Sequence, residues 1–321
     1  MDKNKVIIIA DACQNHKGDL KILKEMIYAA KEVGADFIKI QSMLADELTY
    51  REKFEQGLVE NGRAKAIKRP YQPEYERLKP MDLDDRSHAW FVDECKKAGI
   101  KPLTTVFSFS RIKFLATLDW DTIKVASYDC ASFPFIKELS KYFKRLIIST
   151  GAAFNDEISQ TAEILKGHSF SFLHCVTIYP TPLEYINLRR INWLRKFTSS
   201  VGFSDHTLVE RDGIKASLAA VYFGADIIER HFTILKPGET KDGPVSITPK
   251  HLKELVAFIQ LSKSEQKAYI DENVPEYSLM LGSDDRQLTD IEMLNRDYYR
   301  GRFAQKKSAK VIYNWEENIN G

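Results

Sequence analysis

The stretch TIKVASYDCASFPFIKELSKYFKRLIIST, residues 122–150, decides the fold. It opens on a short β-branched run, TIKVA (122–126), and closes on another, RLIIST (145–150). Between them, Phe133 to Tyr142 carries apolar residues at helical spacing. Strand, helix and strand in so short a span predict a parallel pair joined by a crossover helix. The unit recurs on both sides. Strand-like runs stand at VIIIA (6–10), FIKI (37–40), KPLTTV (101–106), FSFLHC (170–175), TSSVGF (198–203) and ADIIER (225–230). Helical patterns cover 20–33, 87–98, 110–118, 156–165, 210–222 and 249–262, with a weaker one at 187–196. Eight such units predict an α/β protein closed into a (β/α)8 TIM barrel. The competitor is an open doubly wound sheet. That fold carries a glycine-rich phosphate turn after its first strand, where this chain has Asp11-Ala12-Cys13-Gln14-Asn15-His16.

Two stretches fall outside the alternation. Residues 42–85 form a long loop after the second strand, read as a lid or a disordered segment. Its basic centre, Arg63, Lys65, Lys68 and Arg69, reads as a solvated face able to draw in an anion. Residues 272–321 read as a polar tail, so the expected division is a barrel over 1–271 and an extension over 272–321.

Composition bounds the rest. Of 321 residues, 44% are hydrophobic and 29% charged, the balance of a globular enzyme-sized core. A net charge of +2 argues against nucleic acid or an anionic membrane as partner. Cys13, Cys95, Cys130 and Cys175 show no metal-finger or disulfide spacing. Met1 to Lys5 is charged and leads straight into a strand, unlike a secretory leader, and no run of about 18 apolar residues occurs. The expected compartment is the cytoplasm.

Catalytic groups of such a barrel sit where strands end. Here nearly every strand ends in polar residues. Lys39 and Lys124 lie inside apolar strands, where an unpaired ammonium costs several kcal/mol. Each therefore needs a buried carboxylate such as Glu229, a covalent carbonyl adduct or an anionic ligand. With Ser127, Ser149, Thr150 and Ser204 nearby, the pair suggests a cradle for phosphate and carboxylate. His206 and His231 end the seventh and eighth strands, so they are expected as neighbours and candidate metal ligands, with Asp205 or Glu229 orienting an imidazole. Hydrogen-bonded core histidines are the alternative. Cys13 is a candidate third ligand, whereas His174, Cys130 and Cys175 read as core.

The blocks IIIADACQNHKGDL, GADFIKIQ, TIKVAS, LIISTGA, LHCVTIYPTP, VGFSDHT and IIERHFT, in this order over roughly 6–265, resemble the sialic acid synthase (N-acetylneuraminate synthase) family. The resemblance implies a transferase that condenses phosphoenolpyruvate (PEP) with an N-acylhexosamine-type aldose and releases phosphate. It implies a divalent metal, manganese or alternatively magnesium or cobalt, on His206 and His231. By the same resemblance PEP contacts fall on Lys39, Thr105, Lys124, Ser127, Ser149, Thr177 and Ser204, and sugar contacts on Asp11, Gln41, Tyr179 and Asp242. Lys39 and Lys124 would be catalytic. Asp129, just past Ser127, is the candidate for proton transfer or water positioning, with a lysine salt bridge as its alternative role.

Departures from the family point to an unusual sugar. Asp11 stands where the family has glutamate, Thr177 where it has asparagine, and Tyr128 where it has glycine. Diamino-dideoxy precursors of legionaminic- or pseudaminic-type acids fit that pattern. The stretch ending at Gly321 is short for the family's antifreeze-like domain, whose arginine serves the partner subunit; Arg300 or Arg302 is the candidate substitute. A domain swap is then not expected, and barrel-to-barrel contact is the route left open to a homodimer. Three other readings stay open: a keto-acid synthase using a phosphorylated aldose, a Schiff-base aldolase on Lys39 or Lys124, and a non-catalytic sugar- or partner-binding barrel.

Overall fold

The computed structural model describes residues 6–307 and 310–317, so the leader reading at Met1 to Lys5 and the last residues of the tail lie outside the described residues. Eight parallel strands close into one barrel. They are β1 (Ile7–Asp11), β2 (Phe37–Ser42), β3 (Lys101–Val106), β4 (Ile123–Val125), β5 (Arg145–Ser149), β6 (Ser169–Cys175), β7 (Val201–Asp205) and β8 (Ile227–His231). Each pairs with its neighbours in sequence, and β8 closes on β1 with Asp11 opposite His231. Outward-facing strand residues such as Ile8, Ile38, Val125, Ile148 and Ile228 join a continuous apolar core with the surrounding helices. Among these helices, Leu20–Glu32 buries Leu23, Met26, Ile27 and Ala30, an i, i+3, i+4, i+7 stripe that fixes which face meets the sheet.

Element boundaries shift in physically readable ways. The helix expected over 210–222 is two pieces, Val209–Asp212 and Lys215–Phe223, broken at Gly213, whose φ is +57°. The pattern over 249–262 ends at Ile259, and Ser262 caps a separate helix, Lys263–Asn273, through its hydroxyl and Glu265. No helix among the described residues is long and apolar enough to cross a membrane.

The two irregular stretches are ordered and cover the barrel mouth. Within 42–85, Leu58–Glu60 and Arg63–Ala66 form a hairpin turned by Asn61-Gly62, both at positive φ, followed by the helix Tyr71–Leu78. The expected polar tail contains the helix Asp290–Tyr299 and a hairpin of Gln305–Lys307 with Lys310–Ile312. These segments are stitched together. Thr49 donates its hydroxyl to Gly301 O at 2.6 Å, Ala304 N donates to Glu47 O at 3.1 Å, and Asn295 Nδ2 donates to Thr177 O at 2.7 Å.

Candidate active site

The barrel interior is layered by the two-residue period of its strands. Ile9, Phe37, Leu103, Ile147, Leu173 and Ile227 form an apolar plug. Two residues further along each strand, the same inward direction presents Asp11, Lys39, Thr105, Ser149, Cys175 and Glu229. Lys124 on β4 and Ser204 on β7 complete this polar layer. Beyond β5, Gly151 leaves room: a Cβ there would meet Thr177 Cγ2 at 2.7 Å and Ser127 Oγ at 3.0 Å.

The two lysines are almost fully buried and share one carboxylate. Lys39 Nζ lies 2.7 Å from Asp11 Oδ2 and 3.6 Å from Glu229 Oε2, and donates to Thr105 Oγ1 at 3.1 Å. Lys124 Nζ donates to Ser149 Oγ at 2.6 Å and Val125 O at 3.0 Å, and lies 3.7 Å from Glu229 Oε1. Ser204 Oγ donates to the same Glu229 oxygen at 2.9 Å. The ion pairing weighed as the alternative for these lysines is therefore present, and Asp11, a sugar contact by resemblance, engages Lys39. Burial opposes charge on Lys39, but Asp11 and Glu229 outweigh it and raise its pKa above the usual value. Burial dominates at Lys124, with Lys39 adding to it, so its pKa falls. Burial would raise Glu229, but Lys124 and Lys39 hold it below the ordinary carboxylate range.

His206 and His231 are side by side, ring centroids 5.1 Å apart and nearly perpendicular. Tyr179, half exposed, covers His206 at 4.2 Å between ring centroids. Burial, then His231, Arg230 and both lysines, push the His206 pKa well below its usual value, leaving a neutral ring. Buried His231 Nδ1 has no hydrogen-bond partner among the described residues. Ligand atoms of Cys13, His231 and Asp242 lie within 4.8 Å of one another. Burial, then Asp242 and Asp11, raise the Cys13 thiol well above its ordinary pKa, so it carries a proton that a metal would displace. Imidazole, thiol and carboxylate at this spacing are a donor set for a divalent transition ion. Asp205 does not orient either histidine: it accepts from Thr207 and Ser217 and pairs with Arg230. Glu229 serves the lysines instead.

These groups line one cavity of about 330 Å³. Asp11, Lys39, Gln41, Thr105, Lys124, Ser127, Asp129, Ser149, Tyr179, Ser204, His206, His231 and Asp242 all reach it. Thr177 does not line it; it is buried behind Gly151, its backbone held by Glu292 and Asn295. Cys175, read as core, is buried but forms part of the wall, 3.8 Å from His206 Nδ1. His174 is a satisfied core residue bonded to Ile186 O at 2.6 Å. Among the described residues, no lysine lies at ion-pair distance from Asp129; Ser132 Oγ and Asn314 Nδ2 donate to it at 2.9 and 3.0 Å. Burial pushes its pKa up to about 6, against the pull of Asn314 and Ser132.

Several wall residues were not singled out from the sequence as site residues. Arg77 comes from the helix Tyr71–Leu78, Lys241 from the loop after β8, and Tyr299 from the end of helix Asp290–Tyr299. Tyr299 stacks on Tyr128 with centroids 4.9 Å apart. Arg302 reaches the cavity, whereas Arg300 stacks over Trp315 at 5.2 Å and faces Glu157. The Asn61-Gly62 turn signals the hairpin that begins this roof. The convergence of segments more than 200 residues apart has no local signal.

The model of the NeuB family matches residues 26–269. N,N'-diacetyllegionaminic acid synthase of Campylobacter jejuni is 34% identical over 289 residues, covering 82% of this chain and 81% of that protein. Pseudaminic acid synthase of C. jejuni is 32% identical over 320 residues, covering 98% and 86%. The solved structure of N-acetylneuraminic acid synthetase from Leptospira borgpetersenii superposes with a TM-score of 0.68 at 26% identity, covering 92% of this chain and 91% of that one.

Proposed function

The chain belongs to the NeuB family, and on that premise we propose that it condenses PEP with an N-acylhexosamine-type aldose, giving a nine-carbon 2-keto-3-deoxy sugar acid and phosphate. The observation that carries this reading is the single cavity shared by Lys39, Lys124, His206 and His231. An anion cradle beside a metal-type donor set is what joining an enol phosphate to an aldehyde needs.

C3 of PEP attacks the aldehyde carbon. One C–C bond forms, the aldehyde oxygen takes a proton, and positive charge is left at C2. Water adds at C2 and loses a proton, and the tetrahedral intermediate collapses to the ketone as its C–O bond to phosphate breaks. Lys39, kept cationic by Asp11 and Glu229, and Lys124 hold the carboxylate and phosphate of PEP, with Thr105, Ser127 and Ser149 as hydroxyl donors and Ser204 joining them once its hydroxyl turns from Glu229. Asp129, poised near pH 6 at the wall, accepts the proton of the attacking water. Gln41 and Tyr179 face the sugar, and Asp11 can turn to it once PEP neutralises Lys39. The orphaned Nδ1 of His231 fits a metal-binding role, with His206 or with Cys13 and Asp242 as co-ligands. A bound manganese or similar divalent ion would polarise the aldehyde oxygen. Four free buried cysteines suit a reducing compartment such as the cytoplasm.

Phosphate release on mixing PEP, Mn²⁺ and a panel of N-acylhexosamines tests the reading. Turnover with one or more sugars is expected. Silence across a broad panel, with metal-loaded protein, would leave a binding barrel.

A further inference from the structure

The loop that follows β6 is held at both ends, but the barrel itself holds only one of them. Thr181 N donates to His206 O at 2.9 Å, which ties the far end to the end of β7. At the near end, Thr177 lies two residues past Cys175, the last residue of β6, and so beyond the ladder of the sheet. Both of its backbone polar groups are answered from the tail instead. Thr177 N donates to Glu292 Oε1 at 3.4 Å, and Asn295 Nδ2 donates to Thr177 O at 2.7 Å. Glu292 is buried and is itself fixed by Arg286, whose guanidinium donates to both carboxylate oxygens at 2.7 and 2.8 Å. The neighbouring Arg296 donates to Ala152 O, on the loop after β5, at 2.5 Å and to Glu157 Oε2 at 2.9 Å. Glu292, Asn295 and Arg296 share one face of the helix Asp290–Tyr299, at i, i+3 and i+4. The two loops they grip are pressed together, because a Cβ on Gly151 would meet Thr177 Cγ2 at 2.7 Å.

Between the anchors at Thr177 and Thr181 stands Tyr179, half exposed, its ring centroid 4.2 Å from that of His206. We infer that Asn295, backed by Glu292 and Arg296, is a positioning residue: it holds the near end of this loop so that Tyr179 stands over His206 and meets the aldose there. This inference rests on the synthase reading, which gives Tyr179 its sugar-facing part. None of the tail residues named lines the cavity, so their effect reaches the sugar through the loop. Removing the donor to Thr177 O frees one end of a short loop, and the ring at its middle gains the motion.

The experiment uses the full chain as Asn295→Leu, Tyr179→Ala and the double variant, with Asn295→Asp as a second way to remove the donor at constant size. Hydrogen exchange over 175–181 is read without substrate. PEP-dependent phosphate release is read with whichever N-acylhexosamine of the panel is turned over. Asn295→Leu should speed exchange over 175–181 by about tenfold and leave β1 and β8 unchanged. It should raise the KM for the aldose about fivefold to tenfold, while the KM for PEP stays within about twofold. On the Tyr179→Ala background the same substitution should add almost nothing, because the ring it positions is gone. Additive effects in the double variant overturn the inference, as does a loss shared equally between the two KM values. Faster exchange in a protein that releases no phosphate keeps the clamp and sinks the synthase reading. Phosphate release with exchange and KM values unmoved by either Asn295 variant does the reverse.

Discussion

Lys124 and Arg302 line the same cavity but reach it by different routes. Lys124 is placed by the two-residue period of a strand in register with Thr105 of the next. Its ammonium is buried, so its partners are fixed by the cost of leaving a charge unmatched. Arg302 arrives on a segment held over the mouth by hydrogen bonds such as that from Thr49 to Gly301 O. Its neighbours, Arg69 and Lys241, are exposed. The inner layer is thus set by the barrel itself, and the roof by three excursions from it. Under the proposed function, condensation would fall to the layer that cannot move without breaking the sheet.

Removing a charge from the inner layer is the strongest way to break that division. Lys124→Ala should lower kcat by about a thousandfold or more, because the ammonium stabilises charge in a water-poor site. Glu229 keeps Lys39 and Ser204 as partners, so the fold should persist, with thermal unfolding and far-UV circular dichroism near those of the unaltered protein. Retained turnover would remove this lysine from the chemistry.

Asp129→Asn comes next. If the carboxylate takes a proton from water, kcat should fall by about a hundredfold. The acid limb of the rate profile, expected near pH 6 from the raised pKa, should vanish with it. The sign is definite: the base works ionised, so activity rises as pH climbs through the limb. His231→Ala should weaken Mn²⁺ binding by about tenfold to a hundredfold, read by titration without substrate. Unchanged affinity would move the metal away from the grouping with Cys13 and Asp242.

How far the sequence could be read follows the same division. The eight strand runs, the inward positions of Lys39, Lys124 and Glu229, and the adjacency of His206 and His231 are all consequences of period and order, which a linear reading can use. The roof is less legible: the sequence offers 42–85 as a lid and Arg302 as a site residue, but not the helix and hairpin that carry the tail over the mouth. Residues 272–321 read as polar in the sequence, yet Tyr299, Arg302 and Asn314 turn inward through contacts set only by the finished fold. Asp129 illustrates both halves. Its place beside Ser127 is legible, but its partner lies 185 positions away, so the sequence leaves a lysine bridge as an equal expectation where the fold supplies Asn314.

That hydrogen bond gives the mildest and most discriminating test, because it is where roof and inner layer meet. Asn314 Nδ2 donates both to Phe107 O and to the Asp129 carboxylate. Its bond to Asp129 favours the ionised form, so Asn314→Ala should raise the Asp129 pKa further, by about one unit or less. The acid limb would then move to higher pH. At pH 6 the rate should drop by up to about fivefold, while at pH 8, where the carboxylate is ionised in either protein, it should hardly change. A uniform loss at both values would mean that the tail acts on packing alone. No shift at all would mean that the roof can be altered without the inner chemistry sensing it, and the two regions would then be independent in function as well as in origin.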